Sequence, residues 1–98
     1  MENKYNLPEN IKNEIVGYAK KFGVTKVILF GSRARGTNSE RSDIDIAAAG
    51  GDFGEFCYAM DEQVRTLLKF DTVNLDGIVS DELMFEINKD GVVLYEKI

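Results

Sequence analysis

The residues of this chain that could do chemistry together are Gly31, Ser32, Asp43 and Asp45. Asp43-Ile44-Asp45-Ile46 alternates polar and apolar residues, the mark of a strand with one polar face. Side chains two apart on a strand share a face, so Asp43 and Asp45 point one way and Ile44 and Ile46 the other. Paired carboxylates repel unless a cation sits between them. An oxygen-only donor set favours Mg²⁺ or Mn²⁺ over zinc. Upstream, the apolar run Val27-Ile28-Leu29-Phe30 stops at Gly31-Ser32, and ten residues separate Ser32 from Asp43. Gly31 has no Cβ, so a phosphate can approach its backbone closely. Ser32 opens a short helical turn, Ser32 to Arg35, whose free N–H groups form an anion site, and its hydroxyl can add a hydrogen bond. A phosphate cradle beside a carboxylate pair able to hold metal is the minimum equipment for handling a nucleoside triphosphate.

The elements that must position these residues alternate in type. A first helix opens at Leu7-Pro8-Glu9-Asn10, repeats apolar residues at Ile11, Ile15, Ala19 and Phe22, and ends at Gly23 in the C′ position. Strand one runs roughly from Thr25 to Phe30, buried on both sides. Gly36 to Ser42 is a polar loop, and strand two covers about Asp43 to Ala49. Phe53, Phe56, Cys57, Met60, Val64, Leu67 and Leu68 keep helical spacing, which predicts one long helix from Phe53 to Phe70. Asp71 to Asp76 reads as strand three, with Asp71, Val73 and Leu75 on one face and Asp76 on the other. Ser80 is the expected N-cap of a helix through Lys89, and Val92 to Tyr95 form a last strand. The whole chain, 1–98, reads as a single α/β domain.

Composition narrows the chemistry. The chain of 98 residues has no histidine, which removes Ser-His-Asp and Cys-His catalysis and any histidine general base. Seventeen acidic against twelve basic residues give a net charge of −5. Such a chain is a poor general binder of nucleic acid, whose phosphates dominate affinity, although metal and one or two arginines can still meet a nucleotide's charge. No apolar run approaches the ~20 residues a membrane span needs, and the N-terminal Met-Glu-Asn-Lys-Tyr-Asn lacks a signal-peptide core. The lone Cys57 fits a small core residue in a reduced, cytoplasmic protein.

Gly31-Ser32-Arg33-Ala34-Arg35-Gly36 followed by Ser42-Asp43-Ile44-Asp45 resembles the signature of the DNA polymerase beta-like nucleotidyltransferase superfamily, in its minimal nucleotidyltransferase (MNT) branch. The similarity extends through a third Asp to the closing Gly91-Val92-Val93-Leu94-Tyr95-Glu96. It implies a mixed β-sheet flanked by α-helices and Mg²⁺-dependent transfer of AMP, or another NMP, from ATP or another NTP to a hydroxyl. Two Mg²⁺ ions would be held by Asp43 and Asp45, with Asp71 as the third carboxylate at the start of strand three. Gly31, Ser32 and Arg35 would bind the nucleotide. Thr72 departs from the family's more usual apolar string after that Asp. The minimal branch pairs with a separate helical partner of the HEPN type, as toxin and antitoxin, which implies a hetero-oligomer. Two outcomes stay open: an active transferase, and an antitoxin with a weak nucleotide site that neutralises its partner by contact.

Overall fold

A sheet with two unequal faces organises the chain. In the computed structural model, which describes residues 5–98, the order is α1 (Glu9–Lys21), β1 (Lys26–Phe30), α2 (Gly31–Arg35), β2 (Ile44–Ala49), α3 (Phe53–Gln63), β3 (Phe70–Asn74), α4 (Asp81–Asp90) and β4 (Val92–Glu96). The strands form one mixed sheet in the order β3-β2-β1-β4. β1 is antiparallel to both β2 and β4, and β2 is parallel to β3. The expected mixed sheet flanked by helices is therefore present. The N-terminal stretch that lacks a signal-peptide core falls partly on residues 1–4, outside the described residues. Among the described residues no helix is long and apolar enough to cross a membrane.

Period-two alternation sorts the strand residues between the faces. Val27, Leu29, Ile44, Ile46 and Ala48 join Ile11, Ile15, Ala19, Phe56 and Met60 of α1 and α3 in the larger core. Phe30 and Ala47 pack with Ile87 of α4 in a smaller one, joined by the half-buried Ile28, Val73, Leu83 and Met84. The small Ala47 lets α4 approach the sheet. α1 ends in a Schellman motif: Val24 N–H donates to Ala19 O at 2.9 Å, and Gly23 takes φ +76° at C′. Ser80 caps α4 as its sequence predicts, its hydroxyl accepting from Leu83 N–H.

Of the boundaries that differ from the sequence reading, three bear on the site. α3 stops at Gln63 rather than Phe70, with Val64 extended. Val64 and Leu68 still turn toward the larger core, which is why helical spacing persists, but Leu67 is fully exposed at 104%. The turn is fixed by Thr66, whose N–H donates to Val64 O and whose hydroxyl accepts from Leu68 N–H. It is required because β3 must return alongside the start of β2, pairing Phe70 with Ile44. β3 ends at Asn74, leaving Asp76 in the following turn, and Asp43 sits just before β2 rather than within it. Cys57 is half-buried rather than a core residue; burial and Asp61 raise its thiol pKa.

Candidate active site

Backbone register builds the site. Asp45 lies opposite Phe30 across the antiparallel β1–β2 pair and opposite Asp71 across the parallel β2–β3 pair. One strand thus places a carboxylate between the end of β1 and the start of β3. On the β1 side the neighbour is Gly31, held at φ +74°, and a Cβ built there would collide with Asp45 Oδ2. Gly31 is therefore required twice, by its left-handed backbone and by the carboxylate seated against it. Ser32 follows, half-buried in the first turn of α2.

Asp45 is the electrostatic centre. Its pKa is pushed from 3.8 up to about 6, first by burial, then by the charges of Asp71 and Asp43 and, more weakly, Glu86; Arg35 opposes the shift. Asp43 and Asp71 are exposed, so Asp45 is the sheltered member of the three. Arg35 donates from Nη1 to Asp90 Oδ2 of α4 at 3.2 Å, which steadies the cation acting on Asp45. Asp76 is elsewhere: its Oδ2 accepts from Gly50 N–H at 2.7 Å, a structural tie between turns. A cleft of about 580 Å³ opens beside Asp43, lined by Arg41, Leu67, Leu68 and Lys69.

The donor set fits a hard divalent ion, being oxygen-only and carrying repulsion that a cation would relieve. It is not a preassembled cage: among the described residues no group of three or more His, Cys, Asp or Glu is close enough to hold an ion.

Residues 10–98 match the family model described as polymerase beta, nucleotidyltransferase. The chain belongs to this nucleotidyltransferase family. A protein of Methanocaldococcus jannaschii, provisionally named a protein adenylyltransferase, is 44% identical over 82 residues, which cover 74% of this chain and 79% of that one. Among solved structures, the nucleotidyltransferase fold superposes on a chain of a toxin–antitoxin complex with AMP-PNP at a TM-score of 0.70, 24% identical, covering 88% of this chain and 73% of that one. It also superposes on a chain from the complex of a tri-AMPylated Shewanella oneidensis HEPN toxin with its MNT antitoxin, at a TM-score of 0.64 and 20% identity, covering 91% and 72%.

Within this nucleotidyltransferase, Glu86 and Asp90 escaped the sequence reading as parts of the site's surroundings, and Arg33, which reads from sequence as a surface or salt-bridged residue, is instead buried. Arg33 is 3% exposed and bonds three backbone carbonyls. Glu86 and Asp90 stand four apart on α4, beside the stripe of half-buried Leu83 and buried Ile87, and that spacing does put them on one helix flank. Arg33 had no comparable signal, because its partners are carbonyls rather than side chains.

Proposed function

We propose that the chain, acting as a single domain over 1–98, transfers AMP from ATP to a hydroxyl on a HEPN-type helical partner protein. Asp43, Asp45 and Asp71 are its catalytic carboxylates in this reading. The observation that carries it is the register that sets Asp71 beside Asp45 on one strand pair and Gly31 against Asp45 on the other side. A polyphosphate tail lying at Gly31 and Ser32 would bring its α-phosphorus to the carboxylates, with Arg35 near enough to meet phosphate charge. The relative named as a protein adenylyltransferase supports protein as the acceptor, and the AMPylated HEPN toxin of the Shewanella complex supports the class of partner. The AMP-PNP of the other complex supports a nucleoside triphosphate as the donor.

The reaction is an in-line displacement. An acceptor hydroxyl oxygen bonds to the α-phosphorus, the bond from that phosphorus to the bridging oxygen breaks, pyrophosphate leaves and the hydroxyl proton is released. Asp43 and Asp45 would hold two Mg²⁺ ions, with Asp71 as the third carboxylate of the set. Bound magnesium supplies Lewis-acid stabilisation of charge on the phosphate oxygens. Asp71 is exposed on an edge strand, open to an incoming hydroxyl. The net charge of −5 favours encounter with a basic partner surface. A reducing, cytoplasmic setting suits the free Cys57.

A second reading, a contact antitoxin with a weak nucleotide site, is favoured by one observation: the three carboxylates are not drawn into a ready-made cage. Co-expression with a HEPN-type partner, followed by intact mass measurement, separates the two. AMP-sized mass gains on the partner, absent with Asp43→Ala, are the result expected of the transferase. A stable complex without mass change, together with unimpaired neutralisation of the partner by the Asp43→Ala protein, would favour contact neutralisation instead.

A further inference from the structure

Arg33 lies in α2 between the phosphate turn and Arg35, yet at 3% exposure it can touch no substrate. Its guanidinium spreads over three carbonyls: Nε donates to Ser42 O at 3.0 Å, Nη2 to Glu40 O at 3.1 Å and Nη1 to Asn6 O at 3.2 Å. Asn6 N–H returns a bond to Arg33 O at 2.8 Å. Neither ion pair of the described residues includes Arg33, and among those residues its buried charge is met by carbonyl dipoles. The Ser42 carbonyl shares a rigid peptide plane with the nitrogen and Cα of Asp43. Holding that oxygen therefore fixes where the Asp43 backbone begins. On the far side, Ile44 N–H donates to Lys69 O at 2.8 Å, fixing the next peptide. A second clasp shapes the same turn, with Ser39 N–H donating to Ser42 Oγ at 2.9 Å and Ser42 N–H to Ser39 O at 3.2 Å.

From this geometry we propose that Arg33 is a positioning residue for Asp43, which locks the phosphate turn and the first metal carboxylate into one rigid unit. The inference rests on the proposed reading of Asp43 as a metal ligand. Because α2 carries both Ser32 and Arg33, a shift of the helix moves the phosphate site and the Ser42–Asp43 peptide together. Lysine keeps the charge but cannot place one planar fork across three carbonyls.

The test measures Mn²⁺ binding by calorimetry, with an ATP analogue carrying a methylene between the α and β phosphorus atoms so that no transfer occurs. Wild type, Arg33→Lys and Arg33→Gln are compared with Ile15→Val, a larger-core change that lowers stability away from the site. Arg33→Lys is expected to weaken Mn²⁺ binding about tenfold or more, as loss of outer-shell support does. Half-maximal transfer with ATP then moves to higher Mn²⁺, while Ile15→Val retains wild-type affinity. Wild-type Mn²⁺ affinity in folded Arg33→Lys overturns the assignment. If Arg33→Lys does not fold, Arg33→Gln, which spares the burial of a charge but cannot span the three carbonyls, decides: weaker Mn²⁺ binding than in Ile15→Val supports the role, and wild-type affinity overturns it. Failure of the wild type to bind Mn²⁺ is a separate result, which removes the metal reading of Asp43 and this role with it.

Discussion

Replacing Asp45 with Asn should stabilise the folded chain at neutral pH in the absence of divalent ions. The Asp45 pKa rises from 3.8 to about 6 on folding, through burial first and then the charges of Asp71 and Asp43. A folded pKa above the unfolded one means that the native state binds the proton more tightly. Stability then falls as pH rises across the window between those values, and the full penalty is present above about pH 6. A shift of this size corresponds to at most ~3 kcal/mol, and partial exposure of the carboxylate reduces it through solvent screening to ~1 kcal/mol. Asn keeps the shape and removes the charge. For a domain of this size, 1 kcal/mol corresponds to a melting temperature about 4–8 °C higher. Thermal unfolding followed by circular dichroism, in chelator at pH 7.5, 6, 5 and 4, checks both size and sign. The advantage of Asn should be largest at pH 7.5, shrink below 6 and vanish near 4. An Asn variant less stable than wild type at pH 7.5, or a difference that ignores pH, would refute the account of Asp45 as a sheltered, repelled carboxylate.

Gly31→Ala should lose ATP binding measured by calorimetry and about 1–3 kcal/mol of stability, since Ala meets both a left-handed φ of +74° and the Asp45 carboxylate. Asp71→Asn should leave stability near wild type yet lower AMP transfer by ~10²–10³, the usual cost of losing one preorganised electrostatic group. Asp76→Ala should do the reverse, costing about 1 kcal/mol through the lost bond to Gly50 N–H while transfer persists. If the effects of Asp71 and Asp76 are exchanged in unfolding and transfer assays, the β2–β3 register does not set the site. Changing Asp43 and Asp45 together to Ala should abolish Mg²⁺-dependent ATP binding in calorimetry while the fold survives, because neither side chain fills a core.

The parts of the site that sequence made legible are those whose logic is local. The break from Val27-Ile28-Leu29-Phe30 into Gly31-Ser32, and the alternation of Asp and Ile, follow from strand and turn chemistry within a few residues. The end of α3 was not legible, because Val64 and Leu68 reach the core from an irregular turn at the same spacing a helix would use. Pairing of Asp45 with Asp71 depends on a parallel crossover through α3, so parity could place Asp71 on a face but not beside a particular partner. Arg33 lay furthest from reach. Its acceptors belong to residues 6, 40 and 42, and only the folded loop brings those carbonyls to one guanidinium.

The two sheet faces divide the work of the domain. α1 and α3 close the larger core, so the face that carries Asp45 can give up apolar contact where Asp43 and Asp71 gather. α4 covers that face with Ile87 over Ala47 and then turns charge toward the site: Glu86 adds to the repulsion on Asp45, while Asp90 holds Arg35, which opposes it. The free protein thus carries an unfavourable excess of negative charge around Asp45. Any cation bound there gains from relieving it, and by linkage that gain appears as stabilisation of the fold. Were a cation to bind there, occupancy and stability would be coupled through one carboxylate, the one seated against Gly31.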